Sequence, residues 1–310
     1  MQTVRRAVID VGTNSIKLLV ADVRAGEVTP IHEESRQTRL GRGFYETHRL
    51  QPETIAHTAA TVWEFGEVAR ERDAGSIRVI ATSAARDAVN PRDLTGAIER
   101  ACGLKTEIIS GAREAEWAFQ GVATDAELAG HPLLLLDVGG GSTEFILGRG
   151  RKKSFAHSFP LGTVRLMEKF PHGDPPTPGE FTRCRDWVAG FLRHEVRPQL
   201  EPALKQMPAD VQLVGTGGTT SILARMEKKL DHFDREKIER TILTFDQVAA
   251  RRDSLWRLPL AGRKELTGLP KTHADVILTG VLIYEAVMVE FGFEQLRVST
   301  RGLRFAAVMD

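Results

Sequence analysis

Short apolar runs alternate with amphipathic segments along most of the chain, and this pattern predicts an α/β fold. The run Leu133–Leu136 contains no polar residue, which is typical of a strand that is buried on both faces. Further strands are predicted over residues 4–10, 16–23, 77–81, 106–109, 154–159, 211–214 and 296–299. Helices are predicted over residues 52–72, 181–200 and 273–291, the last with a broad apolar face.

A glycine turn follows the most apolar of these strands. Asp137 ends the strand, Gly139–Gly141 come next, and Ser142 and Thr143 add two hydroxyl groups before a second strand begins at Phe145. Consecutive glycines allow a sharp turn and bring backbone N–H groups close to a ligand, because no Cβ atoms intervene. Such a hairpin suits a phosphate held by N–H groups, with the carboxylate holding a metal ion or a water molecule.

Residues 7–20 repeat this unit position for position, 127 residues earlier in the chain and without a gap. The corresponding pairs are Asp10 and Asp137, Gly12 and Gly139, Ser15 and Ser142, and Lys17 and Glu144. One copy is a weak signal, since any α/β protein can carry a glycine turn after a strand. Two copies in register predict a duplicated domain rather than two unrelated hairpin turns.

A third glycine turn begins at Gly215, directly after the predicted strand 211–214, and leads into a helical pattern. Its N–H groups are expected to point at an anion from the N-terminus of that helix. Three glycine turns, two of them with an aspartate, resemble the actin-like ATPase superfamily. This resemblance implies two ribonuclease-H-like domains with an interdomain cleft that holds a phosphate chain. The expected domains are residues 1–125 and 126–310.

Composition narrows the function classes. The chain has 310 residues, 27% charged and 42% hydrophobic, which is normal for a globular protein of two domains. Its net charge of +1 gives no general basic field, so no nucleic-acid partner is expected. Two cysteines cannot form a disulfide framework or a zinc site by themselves. No apolar run reaches the length of a membrane span, and no signal peptide is evident, so we expect a cytoplasmic protein without a membrane partner.

The motifs together resemble the Ppx/GppA family of exopolyphosphatases and guanosine pentaphosphate phosphohydrolases, over nearly the whole chain. The matching segments are Asp10–Ser15, Thr82–Arg86, Ser110–Ala115, Asp137–Glu144, the turn at Gly215, Ala274–Ile277 and Ser299–Arg304. The pair Asn14–Ser15 and the segment Thr82–Arg86 distinguish this family from sugar kinases and heat-shock chaperones. The chain is similar to the short, two-domain members.

One motif departs from the family pattern. The first glutamate of its Glu–Glu pair is Arg113 in this chain, and the arginine expected two places after the pair is Glu116. The second glutamate, which is the catalytic one in the family, is retained as Glu114. Because the neighbouring acid has changed sides, Glu116 remains an alternative for the same role.

The resemblance implies a role for each motif residue. It implies Glu114, Asp137 and Glu144 as catalytic residues, and Asp10, Asp137 and Glu144 as ligands of Mg²⁺. The phosphate-binding residues that it implies are Gly12, Thr13, Asn14, Ser15, Arg86, Gly139, Gly140, Gly141, Ser142, Thr143, Gly215, Gly217, Gly218 and Thr219. More ordinary roles compete with these: Glu114 can offset a helix dipole, Glu144 can be an exposed strand residue, and Lys17 can face solvent.

The expected reaction is hydrolysis of the terminal phosphoanhydride of inorganic polyphosphate, which releases orthophosphate. Guanosine pentaphosphate (pppGpp) is the alternative substrate, since both molecules present the same bond. A third hypothesis from another class is an actin-like ATP-binding kinase or filament protein, which would need an adenosine site near Gly215. The sequence leaves the choice of substrate, the number of metal ions and a homodimer open.

Overall fold

The computed structural model describes residues 2–310, which form two compact units. The first unit contains the residues up to Thr124, together with Gly139–Gly141 and Arg301–Asp310. The second unit contains Asp125–Val138 and Ser142–Thr300. Each unit is an α/β structure with its own sheet, as the alternating sequence pattern predicts.

The described chain forms strands that we number in chain order. They are β1 (Val4–Val11), β2 (Ser15–Arg24), β3 (Glu27–Gln37), β4 (Ser76–Ala81), β5 (Thr106–Ile108), β6 (Pro132–Val138), β7 (Thr143–Arg149), β8 (Lys152–Phe159), β9 (Gln212–Thr216), β10 (Ile242–Thr244) and β11 (Gln295–Val298). The first five belong to one sheet and the remaining six to the other.

The helices are numbered in the same way. They are α1 (Phe44–Thr47), α2 (Pro52–Glu71), α3 (Ser83–Asp87), α4 (Pro91–Cys102), α5 (Gly111–Val122), α6 (Ala126–Ala129), α7 (Thr163–Lys169), α8 (Pro178–Phe191), α9 (Arg197–Leu204), α10 (Gly218–Lys228), α11 (Arg235–Ile238), α12 (Phe245–Arg257), α13 (Leu260–Arg263), α14 (Ile277–Phe291) and α15 (Leu303–Ala307). A π-helical turn (Leu192–Val196) joins α8 to α9, and a 3₁₀ turn (Lys271–His273) precedes α14.

The sheet of the first unit has the strand order β3-β2-β1-β4-β5. Strands β1, β2 and β3 form an antiparallel meander, whereas β4 and β5 run parallel to β1. This is the order of a ribonuclease-H-like domain. The meander follows from the short turns between its strands, and the parallel strands follow from the helices α2 and α4 that cross back over the sheet.

The second sheet has the order β10-β11-β9-β6-β7-β8, so it repeats the first order and adds β10 at one edge. The two hairpins also share their register. Asp10 pairs with Lys17 across β1 and β2, and Asp137 pairs with Glu144 across β6 and β7. The predicted fold class, two ribonuclease-H-like units of the actin-like superfamily, is confirmed.

The C-terminal segment groups with the first unit, which differs from the predicted assignment of residues 126–310 to the second domain. Leu303 and Phe305 are buried in a cluster that contains Val8 of β1 and Trp117 of α5. The guanidinium of Arg304 donates a hydrogen bond to the carbonyl of Leu18, at 2.7 Å. The apolar face of α15 covers this side of the first sheet, and a boundary drawn at one position in the sequence cannot show such a return of the chain.

Two predicted helices have different bounds in the structure. The helix predicted over 181–200 is α8 followed by the π-helical turn and α9, whose first turn contains Pro198. The helix predicted over 273–291 begins only at Ile277, because the start of that range forms the 3₁₀ turn Lys271–His273 instead. Within residues 2–310 no helix is both long and apolar enough to cross a membrane.

Candidate active site

The first glycine turn, between β1 and β2, is closed by its own backbone. The Gly12 N–H donates to the Ser15 carbonyl at 3.1 Å. A Cβ atom at position 12 would lie only 2.9 Å from that carbonyl oxygen, so a side chain would force the turn open. Glycine is therefore required here to shape the turn, and its N–H is used inside the turn rather than directed at a phosphate.

The loop after β3 forms hydrogen bonds with the other residues of this turn. The Gly41 N–H donates to the Thr13 carbonyl at 2.8 Å, and the Thr13 methyl group lies against Gly41 so closely that a Cβ there would be 2.3 Å from it. The carbonyl of Asn14 accepts hydrogen bonds from the N–H groups of Thr38 and Arg39. Neighbouring backbone thus fixes the predicted phosphate-binding residues Thr13 and Asn14 in place.

Arg86 and Glu114 meet in the first unit although 28 residues separate them. Arg86 lies on α3, at the C-terminal end of strand β4, and Glu114 lies in the first turn of α5. The Arg86 Nη1 atom is 2.8 Å from the Glu114 Oε2 atom, and 22% and 12% of the two side chains are exposed. A partly buried guanidinium and carboxylate at this distance form a strong, charge-assisted hydrogen bond. Glu114 therefore lies where it can offset the helix dipole, and it also forms a specific ion pair with Arg86.

Glu116 has different neighbours. Its carboxylate is 3.6 Å from the guanidinium of Arg113, and it accepts a hydrogen bond from Gln120. Arg113 in turn pairs with Asp310 at 3.0 Å and lies over the ring of Trp117. The residues that depart from the family motif thus form a surface ion-pair group of their own. This geometry favours Glu114 over Glu116 as the glutamate of the site.

In the second unit, Glu144 is buried on β7 rather than exposed, with 1% of the residue accessible. Its Oε1 atom accepts hydrogen bonds from the hydroxyl groups of Ser142, at 2.8 Å, and Ser158, at 2.6 Å. Two donors on one oxygen stabilise the charged form of a buried carboxylate and fix its orientation. The ordinary alternative, an exposed strand residue, is therefore wrong for Glu144.

Ser158 is a site residue that the sequence analysis missed. It lies on β8, directly opposite Glu144 in the antiparallel ladder. A bulge between Leu147 and Gly148 shifts this register, and no motif marks β8 in the sequence. The sequence offered one clue to this residue: the third strand of a meander must place some residue opposite Glu144.

The structure brings Asp137 next to the third glycine turn. Gly217 has a φ of +95°, which L side chains rarely adopt, and a Cβ atom there would lie 2.7 Å from the Asp137 Oδ1 atom. The turn is followed at once by α10, whose first turn contains Gly218 and the buried Thr219. The N–H groups at the start of this 11-residue helix form a positive end that favours anions. Carboxylate and anion-binding turn therefore lie side by side.

Two further residues that were predicted to bind phosphate make other contacts. The Thr143 hydroxyl is fully buried and donates to the Leu161 carbonyl, so it fixes the segment that follows β8. Gly215 lies inside β9, where a Cβ atom would come within 2.4 Å of Thr220 and 2.9 Å of Tyr284. Both residues therefore stabilise the packing around the site, and the contacts described here are with protein groups. Gly139, Gly140 and Gly141 stand at the tip of the β6–β7 hairpin, as predicted.

The described side chains around Asp137 supply two carboxylates for a magnesium ion and no larger set of protein ligands. Among residues 2–310, no group of three or more His, Cys, Asp or Glu side chains is placed to hold a metal ion. Asp137 and Glu144 nevertheless lie directly opposite each other. Mg²⁺ is commonly bound by one or two carboxylates, with water and substrate phosphates as its other ligands. The pair fits such a site, and metal ligation by Asp10 stays a prediction.

The sequence matches the Ppx/GppA phosphatase family over residues 19–309, which include most of both units. The chain belongs to this family. Exopolyphosphatase 2 of Mycobacterium tuberculosis is 37% identical to it over 319 aligned residues, which cover 96% of each chain. Exopolyphosphatase 1 of Mycobacterium bovis is 28% identical over 98% of this chain and 87% of its own.

Solved structures of the Ppx/GppA family show the same fold. A crystal structure of an exopolyphosphatase from Cytophaga hutchinsonii superposes with a TM-score of 0.86 at 26% identity, over 97% of this chain and 96% of that one. The Aquifex aeolicus Ppx/GppA enzyme gives a TM-score of 0.79 at 31% identity, over 99% of both chains. This Ppx/GppA protein is a hydrolase of the phosphatase class, as its motifs predict.

Proposed function

We propose that this protein hydrolyses the terminal phosphoanhydride of inorganic polyphosphate and releases orthophosphate. The observation that carries the proposal is the position of Asp137, which lies opposite Glu144 and against the glycine turn at Gly217. Two carboxylates beside an anion-binding helix N-terminus suit a phosphate chain together with its counter-ion. The 37% identity to an exopolyphosphatase over 96% of both chains supports polyphosphate as that chain.

Phosphoryl transfer depends on positioning and on charge neutralisation more than on covalent chemistry. In the proposed mechanism Glu114 accepts a proton from the attacking water, which bonds to phosphorus as the bond to the bridging oxygen breaks. Arg86 holds Glu114 in place through the 2.8 Å ion pair. The guanidinium also has donors for phosphate oxygens, so it can neutralise charge beside the base.

The proposed phosphate donors are mainly backbone N–H groups. In the second unit these lie at the start of α10, at Gly218 and Thr219. In the first unit we propose the turn at Asn14 and Ser15 for the same role. Such donors are fixed before the substrate arrives, so little free energy is spent on reorganising them during the reaction.

Mg²⁺ belongs to this proposal as well. Asp137 and Glu144 are the residues that would hold it, and the bound ion supplies neutralising charge to the phosphate oxygens. Ser142 and Ser158 orient Glu144 for this role through their hydrogen bonds to its Oε1 atom. Supporting hydrogen bonds of this kind tune both the geometry and the affinity of a metal site.

The proposal is tested by phosphate release from long-chain polyphosphate, pppGpp and ATP, measured in parallel with and without Mg²⁺. We expect release from polyphosphate that requires Mg²⁺ and that exceeds release from ATP. Faster release from pppGpp than from polyphosphate would assign the same chemistry to the other substrate. Turnover of ATP with neither of the other two cleaved would contradict the proposal.

A further inference from the structure

A buried tyrosine of the second unit lies next to the strand ends that carry Asp137 and the glycine turn at Gly217. Tyr284 lies on α14 and has no accessible surface. Its hydroxyl oxygen is 3.1 Å from the carbonyl oxygen of Thr216, on β9, and 3.3 Å from that of Leu136, on β6. The next residues in the chain are Gly217 and Asp137. The Tyr284 hydroxyl thus contacts the residue just before the glycine turn in one strand and the residue just before the carboxylate in the other.

The surrounding packing is built to admit this ring. Gly215 has no side chain, and a Cβ atom there would lie 2.9 Å from the Tyr284 Cε1 atom. One turn earlier on α14, a Cβ atom at Gly280 would lie 2.6 Å from the Thr219 hydroxyl oxygen. Contacts under 3.0 Å are not tolerated by real Cβ atoms, so both glycines are needed for α14 to lie this close to β9 and α10.

The phenol remains a hydrogen-bond donor at every relevant pH. Burial raises the pKa of Tyr284 well above its ordinary value, and the negative charge of Asp137 raises it further. The hydroxyl therefore stays neutral and keeps its proton for the carbonyls of Leu136 and Thr216.

We propose that Tyr284 is a positioning residue, whose hydroxyl ties the ends of β6 and β9 together and so fixes Asp137 against the turn at Gly217. This inference rests on the proposed function of that site. Strand β6 is paired with β9 only as far as Asp137 and Thr216, so the hydroxyl acts where the ladder ends. Displacements of a fraction of an ångström at a reacting centre slow the chemical step more than they weaken substrate binding.

The test is Tyr284→Phe, which removes the hydroxyl and keeps the ring on Gly215. For polyphosphate hydrolysis we expect kcat to fall about tenfold, with a change in KM of less than about threefold, because the carboxylate is displaced while most phosphate donors remain. Thr279→Val is the matched control. Thr279 lies on the same helix, is equally buried, and donates its hydroxyl to the carbonyls of Thr163 and Val276 instead.

Thermal unfolding of both variants separates positioning from general loss of stability. We expect similar shifts in Tm, with the loss of kcat confined to Tyr284→Phe. If both variants lose kcat in proportion to their loss of stability, or if Tyr284→Phe keeps a kcat within twofold of the wild type, the proposal is overturned.

Amide hydrogen exchange gives a second measurement that needs no substrate. Tyr284→Phe should speed exchange in the segments 134–138 and 213–217, and Thr279→Val should leave both segments unchanged. Wild-type protein that fails to cleave polyphosphate refutes the proposed function, and the exchange result still decides whether the tie exists. Unchanged exchange in Tyr284→Phe refutes the tie even if polyphosphate is cleaved.

Discussion

The hairpins β1–β2 and β6–β7 share their register and carry opposite charges at the position facing the aspartate. Each carries an aspartate one residue before the end of its first strand, and in each the residue directly opposite lies near the start of the second strand. Opposite Asp10 that residue is Lys17, whereas opposite Asp137 it is Glu144. A lysine at this position lowers the local negative charge, whereas a second carboxylate increases it and so favours a divalent cation. The exchange of Lys17 for Glu144 thus makes the second hairpin the proposed site for a divalent cation.

The comparison extends to the third strand of each meander. Ser35 on β3 lies opposite Lys17, and Ser158 on β8 lies opposite Glu144. The serine is therefore common to both copies. Only in the second copy does it donate to a buried carboxylate, at 2.6 Å. The serine of the second copy thus has a hydrogen-bonding role because its neighbour is the carboxylate of Glu144 rather than the lysine Lys17.

The largest effect should come from making the second hairpin like the first. In Glu144→Lys, a cation opposite Asp137 replaces the charge that is proposed to hold Mg²⁺. A loss of several kcal/mol of charge stabilisation corresponds to a fall in kcat on the order of 10⁴-fold. Steady-state phosphate release measures this, and circular dichroism checks that the variant folds. Retention of more than a tenth of the wild-type rate would show that the second carboxylate is dispensable.

A smaller but still large effect is expected outside both hairpins, at the proposed base. Glu114→Gln should lower kcat by about 10³-fold, within the usual range for general base catalysis, and leave polyphosphate binding nearly unchanged. Glu116→Gln is the matched control, since that side chain pairs with Arg113 instead. We expect it to keep at least half of the wild-type rate. If Glu116→Gln is the inactive variant, the base has been assigned to the wrong glutamate.

The two serines give the most closely matched pair of variants. Ser158→Ala removes one of two donors to the Glu144 oxygen, and we expect about a tenfold fall in kcat, as for other residues that support a metal ligand. Ser35→Ala makes the same change at the corresponding position of the first meander. Its rate should stay within twofold of the wild type. Equal losses in the two variants would remove the distinction between the hairpins.

Much of this comparison was accessible from the sequence. The constant offset of 127 residues between the two units located both aspartates and the exchange of Lys17 for Glu144. Strand pattern and glycine turns were sufficient because a tight hairpin fixes which residues lie opposite each other. The contact between Arg86 and Glu114 was not accessible, since it joins two helices that no local pattern relates.

Other parts of the site depend on packing that a linear pattern does not encode. The role of Ser158 depends on the register of β8, which a bulge shifts. The role of Tyr284 depends on how closely α14 approaches β9, and in the sequence this residue is one of many apolar positions on a helix. The grouping of α15 with the first unit depends on which core its apolar face covers.

The central claim is that Asp137 and Glu144 hold the proposed Mg²⁺, and that Lys17, at the position corresponding to Glu144, has no part in its binding. Its most direct test is the rate of phosphate release from polyphosphate as a function of Mg²⁺ concentration, for Glu144→Gln and Lys17→Gln side by side. We predict that Glu144→Gln loses most of its rate and needs more than about ten times the Mg²⁺ for half-maximal activity, in line with the loss of one carboxylate ligand. Lys17→Gln should keep the Mg²⁺ dependence of the wild type. An unchanged Mg²⁺ dependence in Glu144→Gln, or a shifted one in Lys17→Gln alone, would contradict the claim.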